Sequence, residues 1–478
     1  MINHLPKYIS SKAIVCYIMT LLIVSILFYD YSMNFMWWLF GIIEVYIFFH
    51  YTNKLSYSWL HFTKIKFEKE LFKTALVIRI VYVTFSYFFF IYMNDHPFDF
   101  AAADVFFYND TAADIANEIK NGNFNIRKIF SDNKTDFSDS GYIVFLSIIY
   151  FFTGNSIFIA RIVKCIIGAY MCVLIYRIAQ RNFDERVAKL SSIFVMLMPN
   201  LIMYCGLHLK EVEMTFLAVL FINQADIILH NYKLKIKNLF LALFIIVLLF
   251  SFRTVLALVC FISFVLALLI NKKTSIKKYQ KIVISIISLI ILSIFISIQV
   301  ADEVSKLTNT NVQEFQANSM THRYGEVNKL AKYAGASVFA PMIFTIPFAT
   351  MVDTPNQDEQ RMIHGGNFVK NIISFFTILA LFSLLLSKGF KNIFKGEWRN
   401  YVLLISFTCG YLIVLVFSQF AQSERFHQPI LPFVLLFAAY GVINLKPKQK
   451  QWYTYWLILI FIANVAWAWF KLKGRGLI

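Results

Sequence analysis

Long apolar runs without a charged residue are the strongest constraint on what this chain can fold into. Segments 238–250 and 282–300 contain no Asp, Glu, Lys or Arg, and a run of about 20 apolar residues is long enough to cross a hydrocarbon core as a helix. Only 15% of the 478 residues are charged, against about a quarter in a soluble domain. The sequence therefore predicts an all-α polytopic membrane protein, with residues 1–478 forming a single transmembrane domain.

The apolar runs predict about thirteen transmembrane helices. They are expected at 13–29, 33–51, 74–93, 156–179, 187–205, 212–230, 238–252, 254–270, 281–299, 368–387, 401–418, 429–443 and 452–470. Two further apolar segments, 141–153 and 338–351, are too short to cross, so we expect juxtamembrane or re-entrant helices there.

The charge pattern predicts the orientation. A net charge of +18 would suggest nucleic acid in a soluble protein, but here Lys and Arg fall in short loops, as retention in the cytoplasm requires. With the amino terminus in the cytoplasm, loops 94–140 and 300–367 lie outside. The same alternation places the tail with Lys471, Lys473 and Arg475 outside, against the rule. Abundant Lys, Ile, Asn and Phe are typical of an AT-rich bacterial genome, so we expect a bacterial inner membrane protein without a nucleic acid partner.

The acidic loop 94–140 predicts an amphipathic helix over 104–116 that lies along the membrane surface. Tyr108 lies on its apolar face, and Asp110 and Asp114 lie on another face. Asp104 falls in the first turn, where a carboxylate can cap the helix. It can also act as a general base, because apolar surroundings raise the proton affinity of a carboxylate. The spacing leaves both roles open.

Two further polar clusters are predicted on the outer side. His208, Lys210 and Glu211 join two spans with almost no loop, so they either cap a helix or bind a phosphate or an acceptor sugar. Arg425 and His427 precede a span that begins with two prolines, where an Arg fork suits a lipid phosphate or anchors the span by snorkelling. Arg253 and the segment 322–324 are weaker candidates.

Several motifs are absent. The sequence has no Walker A motif, no Gly-rich dinucleotide fingerprint and no His-Glu-x-x-His. The six cysteines lie in or beside apolar runs without paired spacing, which argues against disulfides and against a Cys-based zinc site. We therefore expect no certain cofactor, and a divalent metal and its ligands are left open.

Three features resemble the GT-C type glycosyltransferases, in particular the protein mannosyltransferases and the aminoarabinose transferases. The first is Asp-x-x-x-Tyr followed by an Ala-rich helix, here Asp104 and Tyr108. The second runs from Gly141-Tyr142 through a short apolar helix to Ala160-Arg161, and continues to Pro199. The third is Glu424-Arg-Phe-His-Gln-Pro-Ile-Leu-Pro432. Where many relatives have a second acid after the first, this chain has Val105, and two spans precede the usual first one.

The resemblance implies an inverting transfer of a sugar from a polyprenyl-phosphate carrier, on the non-cytoplasmic face, to a glycan, lipid or protein acceptor in envelope glycan assembly. It implies Asp104 as catalytic base and Arg425 as phosphate ligand, with Lys210 as a second phosphate candidate. Further substrate-binding residues are expected among the clusters above, at Tyr108, Asp110, His208, Glu211 and His427.

Two alternatives stay open at this point. A polysaccharide polymerase that joins lipid-linked repeat units shares the topology, the face and the lipid carrier. A lipid-sugar flippase or transporter needs ionisable residues within the membrane, and Glu44 and Arg79 are candidates. Transporters also often contain internal repeats, and none is visible here.

Overall fold

The computed structural model describes residues 3–100, 103–122, 137–230, 235–270, 279, 285–286, 340–355, 357–387, 396–417 and 423–478. The expected span 281–299, apart from residues 285–286, and the candidate segment 322–324 lie outside this part of the chain. Within it, all regular structure is helical apart from one isolated β-bridge between Ser32 and Val352. The prediction of an all-α polytopic membrane protein is confirmed.

Sixteen helices carry labels below. They are α1 Lys7–Leu27, α2 Phe35–Ser58, α3 Lys64–Asn94, α4 Ala103–Lys120, α5 Phe137–Thr153, α6 Ile157–Asn182, α7 Glu185–Leu197, α8 Pro199–Gly206, α9 Glu211–His230, α10 Ile236–Phe252, α11 Thr254–Ile270, α12 Asp358–Met362, α13 His364–Leu385, α14 Val402–Phe417, α15 Glu424–Ile443 and α16 Gln449–Lys473. A π-helical turn, Ile47–Tyr51, interrupts α2, and a 3₁₀ turn, Gln428–Ile430, interrupts α15.

Eight of these helices are long and apolar enough to cross a membrane, or nine if α7 and α8 are one bent span. The bend of 43° falls at Pro199, which cannot donate the backbone hydrogen bond that a continuous helix requires. The spans expected at 238–252, 254–270 and 401–418 are the shorter apolar helices α10, α11 and α14. The expected short helix 141–153 is α5, which begins at Phe137.

The loop ends fall on two opposite faces of the bundle. On one of them, the amino-terminal face, Leu5 N–H donates to Ser56 Oγ at 3.1 Å and Lys189 Nζ donates to the Leu60 carbonyl at 2.9 Å. The other, the α4 face, holds α4, α5, residues 207–210, α12 and the tail 474–478. There the Tyr31 hydroxyl donates to the Leu477 carbonyl at 2.6 Å. The tail therefore lies on the same face as the acidic loop, as the alternation predicted.

The cations of the tail make hydrogen bonds and a ring contact within the protein on the α4 face. Arg475 donates to the Pro355 carbonyl, and Lys471 Nζ lies 3.0 Å from the Gln360 side-chain oxygen. Lys473 lies over the Trp469 ring at 4.7 Å. These contacts stabilise positive charge on the face that we expect to be non-cytoplasmic, although Lys and Arg usually favour cytoplasmic loops.

The helix expected over 338–351 is wrong for the described part of that segment. After a 3₁₀ turn, Ala340–Met342, and a further hydrogen-bonded turn over 343–345, the chain continues to residue 351 without regular secondary structure and is buried between α13 and α16. Asn371 Nδ2 donates to the Thr345 and Pro347 carbonyls at 2.6 and 2.9 Å, and Ala349 N–H donates to Asn464 Oδ1 at 2.9 Å. Prolines interrupt the segment, and side chains of its neighbours replace the hydrogen bonds of a helix.

This irregular segment reaches deep along α13. Ser374 Oγ donates to the Phe344 carbonyl. Ser374 lies ten residues from the helix start at His364, which is about 15 Å at the rise of an α-helix. The segment 343–349 is therefore a re-entrant stretch without helical structure, whose backbone is enclosed by protein.

Glu44 and Arg79, the transporter candidates, are held by hydrogen bonds to backbone groups of the protein. Glu44 Oε2 accepts a hydrogen bond from Gly366 N–H at 2.9 Å, in the first turn of α13. Arg79 donates to the Ala75 and Met196 carbonyls at 3.2 and 3.4 Å. A carboxylate at a helix amino terminus and a guanidinium on backbone carbonyls are both stabilising arrangements. In this structure both residues join helices.

The topology gives a direct labelling prediction. Single cysteines at Asp114 and Ile478 should both react with an impermeant thiol reagent in intact cells, because both lie on the α4 face, which we expect to be non-cytoplasmic. A cysteine at Lys448, on the amino-terminal face, should react only after lysis. Labelling of the unsubstituted chain sets the background. Labelling of Lys448→Cys without the other two would reverse the orientation, and a split between Asp114 and Ile478 would contradict the fold.

Close packing of α13 against α15 gives a stability prediction. A Cβ atom at Gly441 would lie 2.1 Å from the Phe376 carbonyl oxygen, whereas at Gly410 the nearest atom would be Val259 Cγ1 at 3.5 Å. Gly441→Ala should therefore cost about 1–3 kcal/mol of stability. Gly410→Ala should be neutral or stabilise by about 0.5–1 kcal/mol, since Ala favours a helix. Melting temperatures in detergent test both, and equal values for the two variants would contradict the packing.

Candidate active site

Arg425 joins two carboxylates that are far apart in the sequence. Its NH1 group donates to Asp104 Oδ2 at 2.6 Å, and its Nε donates to Glu211 Oε1. The Glu211 side chain is 2% exposed, the Arg425 side chain 25% and the Asp104 side chain 54%. The cluster thus runs from a buried carboxylate, through a partly buried cation, to a carboxylate that solvent or a substrate can reach.

Three helix starts bring these residues together. Asp104 lies in the first turn of α4, Glu211 begins α9, and Arg425 is the second residue of α15. The partial positive charge at a helix amino terminus favours the two carboxylates. Proline fits the first turn of a helix, and Pro429 and Pro432 follow Arg425 closely, so the start of α15 is fixed locally. The predicted clusters of Asp104, Glu211 and Arg425 therefore form one site.

Helix α4 has the predicted amphipathic character. Val105, Tyr108, Ala112 and Ala116 are buried against α5, while Asp110 and Asp114 are exposed. Tyr108 meets Tyr142 edge to face at 5.2 Å, and burial raises the pKa of its hydroxyl. Asp110 accepts a hydrogen bond from Asn109 at 3.0 Å and lies on the solvent side of the helix. Tyr108 is thus in the wall of the site, and Asp110 is at its rim.

The Lys210 ammonium has three partners within the protein, one for each of its N–H donors. Its ammonium pairs with Asp139 and donates to the Ser138 and Phe252 carbonyls, each at 2.9 Å. It is 1% exposed, and burial lowers its pKa while the Asp139 carboxylate opposes that shift. Lys210 therefore ties the starts of α5 and α9 to the end of α10, one residue from the Glu211–Arg425 contact.

The two histidines lie in the wall of the site. His208 is buried, its Nε2 lies 3.1 Å from the Tyr150 hydroxyl, and burial lowers its pKa far below the usual value, so its ring is neutral. His427 is also buried, with its Nδ1 2.8 Å from Lys370 Nζ. These contacts orient both rings.

A second buried polar group adjoins the site, and the sequence patterns did not single it out. Asp99 is 1% exposed, and neither carboxylate oxygen has a hydrogen-bond partner among the described residues. Burial raises its pKa, and the Arg161 guanidinium opposes this. Arg161 donates to the Pro97 carbonyl at 2.6 Å, but its Nε and NH1 are without partners in the same part of the chain. Unpaired buried polar atoms of this kind call for bound water or substrate groups.

Lys164 supports the turn that carries His208 and Lys210. Its Nζ donates to the Leu207 and Leu209 carbonyls and lies 3.7 Å from Glu213 Oε2. The signal for this residue was available in the sequence, since Arg161 and Lys164 are two cations within one expected span. Charged groups inside a span are costly and usually functional.

Glu359 brings the second long loop to the site. It lies in α12 and is half-buried, and its pKa is raised by burial and then by the Asp99 and Glu424 carboxylates. Arg361, two residues on, pairs with Asp353 and Asp358 and lies 5.8 Å from the Trp37 ring centre. The loop is thereby fixed on α2 with Glu359 near Arg425. The weaker candidate Arg253 lies over the Phe426 ring at 4.8 Å, beside the same cluster.

Within the described ranges, no group of three or more His, Cys, Asp or Glu side chains is arranged to hold a metal ion.

One family model matches the chain, over residues 142–298, and its description is dolichyl-phosphate-mannose-protein mannosyltransferase. The resemblance to the GT-C type glycosyltransferases is confirmed. The match indicates a membrane glycosyltransferase that uses a lipid-linked sugar. Comparisons with curated proteins and with solved structures give no match. The matched segment of this chain includes Arg161, Lys164 and the turn 207–210, while Asp104 and Arg425 lie outside it.

The Arg425–Glu211 contact predicts a particular pattern of stability. Arg425→Ala leaves Glu211 buried without its cation, which should cost about 3–5 kcal/mol. Glu211→Gln in the same chain removes the stranded charge, so the double variant should recover much of that loss. Melting temperatures of the four chains in detergent give the coupling between the two residues. Additive losses would show that the two side chains do not depend on each other.

Proposed function

We propose that this chain transfers a sugar from a polyprenyl-phosphate carrier to an acceptor hydroxyl at the α4 face, which we take to be the non-cytoplasmic face. The observation that carries the proposal is the Asp104–Arg425–Glu211 cluster, where a reachable carboxylate lies against a partly buried guanidinium. Transfer from a lipid phosphate needs a proton acceptor on one side of the anomeric carbon and fixed positive charge on the other. The family match supports the lipid-linked donor.

Asp104 is the proposed general base. One of its oxygens, Oδ2, accepts from Arg425, and with about half of the side chain exposed, the other can accept the proton of an incoming hydroxyl. The ion pair fixes the direction of the carboxylate, and a fixed base within reach of its proton is what general base catalysis requires. Capping of α4 alone does not account for a carboxylate that is paired to a guanidinium on another helix.

Arg425 is the proposed ligand of the leaving phosphate. A guanidinium has five N–H donors in a planar fork, and the contacts with Asp104 and Glu211 use two of them. The remaining donors suit phosphate oxygens. Glu211 then acts as a positioning residue, because its buried carboxylate holds the guanidinium from behind. Arg253, beside Phe426, adds positive charge next to the same place.

The proposed reaction balances without a cofactor. The acceptor oxygen forms a bond to the anomeric carbon while the bond from that carbon to the phosphate oxygen breaks. The hydroxyl proton moves to Asp104, and the electron pair leaves with the polyprenyl phosphate. Attack opposite to the leaving group inverts the anomeric configuration. Arg425 stabilises the negative charge that develops on the phosphate.

The other expected substrate-binding residues take supporting places in this proposal. Tyr108, His208 and His427 shape the wall, and Lys210 fixes the turn before Glu211. Asp110 stands at the exposed rim, where an acceptor would enter. We place the reaction in envelope glycan assembly at a bacterial inner membrane, and a lipid-linked glycan as acceptor would make the same site a polymerase site.

Replacement of Asp104 is the sharpest test of the base. Asp104→Asn keeps the size of the side chain and its ability to cap a helix, but an amide cannot accept the proton. Sugar transfer from a panel of polyprenyl-phosphate sugars should fall by about two to four orders of magnitude. Because the side chain is half exposed, the melting temperature should change little.

Asp114→Asn is the matched control, since its carboxylate is exposed on the same helix without contact to Arg425, and it should keep most of the wild-type rate. Asp110→Asn, at the rim of the site, should lose much less activity than Asp104→Asn. A fully active Asp104→Asn variant together with an inactive Asp110→Asn variant would show that the base is Asp110 and not Asp104. Full activity in all three would place the reaction elsewhere in the chain.

A further inference from the structure

A groove between α1 and α16 lies on the membrane-facing side of the bundle, away from the Arg425 cluster. It has a volume of about 480 Å³, within the usual range for small-molecule sites of about 300–1,000 Å³. Val15 and Met19 of α1 and Leu457, Ile458 and Phe461 of α16 line most of it, with Ser11, Lys12, Cys16 and Thr454 completing the lining. Both helices lie outside the segment that the family model matches.

The groove is apolar along its length and polar at one end. From Lys12 to Met19 of α1, and from Thr454 to Phe461 of α16, the two walls each contain eight residues and run for about 10 Å at helical rise. At the amino-terminal face, Lys12 Nζ donates to Thr454 Oγ1 at 2.9 Å across the groove. An ammonium has three N–H donors, so the bond to the Thr454 hydroxyl leaves two that can reach a ligand.

The charge around this end has one sign. Lys7, Lys12, Lys446, Lys448 and Lys450 are all exposed there. The stretches 3–29 and 444–463, which form both walls and their ends, contain no Asp or Glu. Basic groups beside a membrane surface attract anionic lipids, each contributing about 1 kcal/mol.

We propose that this groove binds one anionic phospholipid. Its acyl chain lies along Val15, Met19, Ile458 and Phe461, and its phosphate lies against Lys12 and the neighbouring lysines. The apolar walls match a hydrocarbon chain, and the cluster of lysines matches a negative head group at the depth where head groups begin. The proposal concerns a site on the opposite face from the Arg425 cluster, and it holds whether or not the proposed reaction is correct.

Native mass spectrometry of the full chain tests the site, with phosphatidylglycerol and phosphatidylcholine as probes. We expect one phosphatidylglycerol to be retained in preference to phosphatidylcholine. Lys12→Gln should weaken that binding about fivefold, which corresponds to the loss of one lysine near a charged lipid. Lys54→Gln, an exposed lysine on the same face but outside the groove, is the matched control and should bind as the unsubstituted chain does.

A second pair of variants tests the apolar part. Val15→Trp fills the groove and should abolish preferential retention of the phospholipid, whereas Ile26→Trp, on an exposed part of α1 outside the groove, should not. Equal retention of the two lipids would overturn the proposal, as would equal binding by the Lys12→Gln and Lys54→Gln chains. Displacement of phosphatidylglycerol by an equal amount of polyprenyl phosphate would also overturn it, because the groove would then belong to the carrier lipid.

Discussion

The need to pair a cation at the edge of the membrane governs the arrangement of the α4 face. A guanidinium that is three-quarters buried is costly unless hydrogen bonds and opposite charge satisfy it. Arg425 meets that requirement with Glu211 behind it and Asp104 in front of it. Each partner begins a different helix, so satisfying one side chain fixes the relative positions of α4, α9 and α15. Structure and proposed chemistry rest on the same contacts.

The surrounding polar groups extend this arrangement in two directions. Lys210 and Lys164 hold the turn before α9 through backbone carbonyls, so Glu211 cannot shift without breaking their hydrogen bonds. On the other side, Arg361 fixes the loop that carries Glu359. Asp99 and Arg161 keep unpaired polar atoms between these supports. Such groups are expensive in a folded protein unless a bound molecule uses them, which is a usual property of sites that recognise polar substrates.

The sequence predicted those features that depend on local pattern. The apolar runs located the helices, and the spacing of Tyr108 and Asp110 located the two sides of α4, because helical periodicity acts over a few residues. The contact of Arg425 with Asp104 joins residues 321 apart, and no single-sequence pattern encodes that distance; only the resemblance placed them in one site. Asp99 is one of several acids in loop 94–140, and the sequence does not distinguish it from the others because its burial depends on the helices around it. The helix prediction for 338–351 is wrong because apolar content does not distinguish a helix from an irregular segment that its neighbours enclose.

The re-entrant stretch also constrains how the chain can be assembled. Its backbone groups are satisfied by side chains of α13 and α16, which are synthesised after it. Until both helices are in the membrane, the Thr345 and Pro347 carbonyls and the Ala349 amide lack the partners that α13 and α16 provide, and hydrocarbon offers none. The stretch must therefore wait at the aqueous surface while these helices insert, and it enters the bundle only when α16 is in place. Maturation of the α4 face is thus coupled to the insertion of α16, which lies more than 100 residues further along the chain.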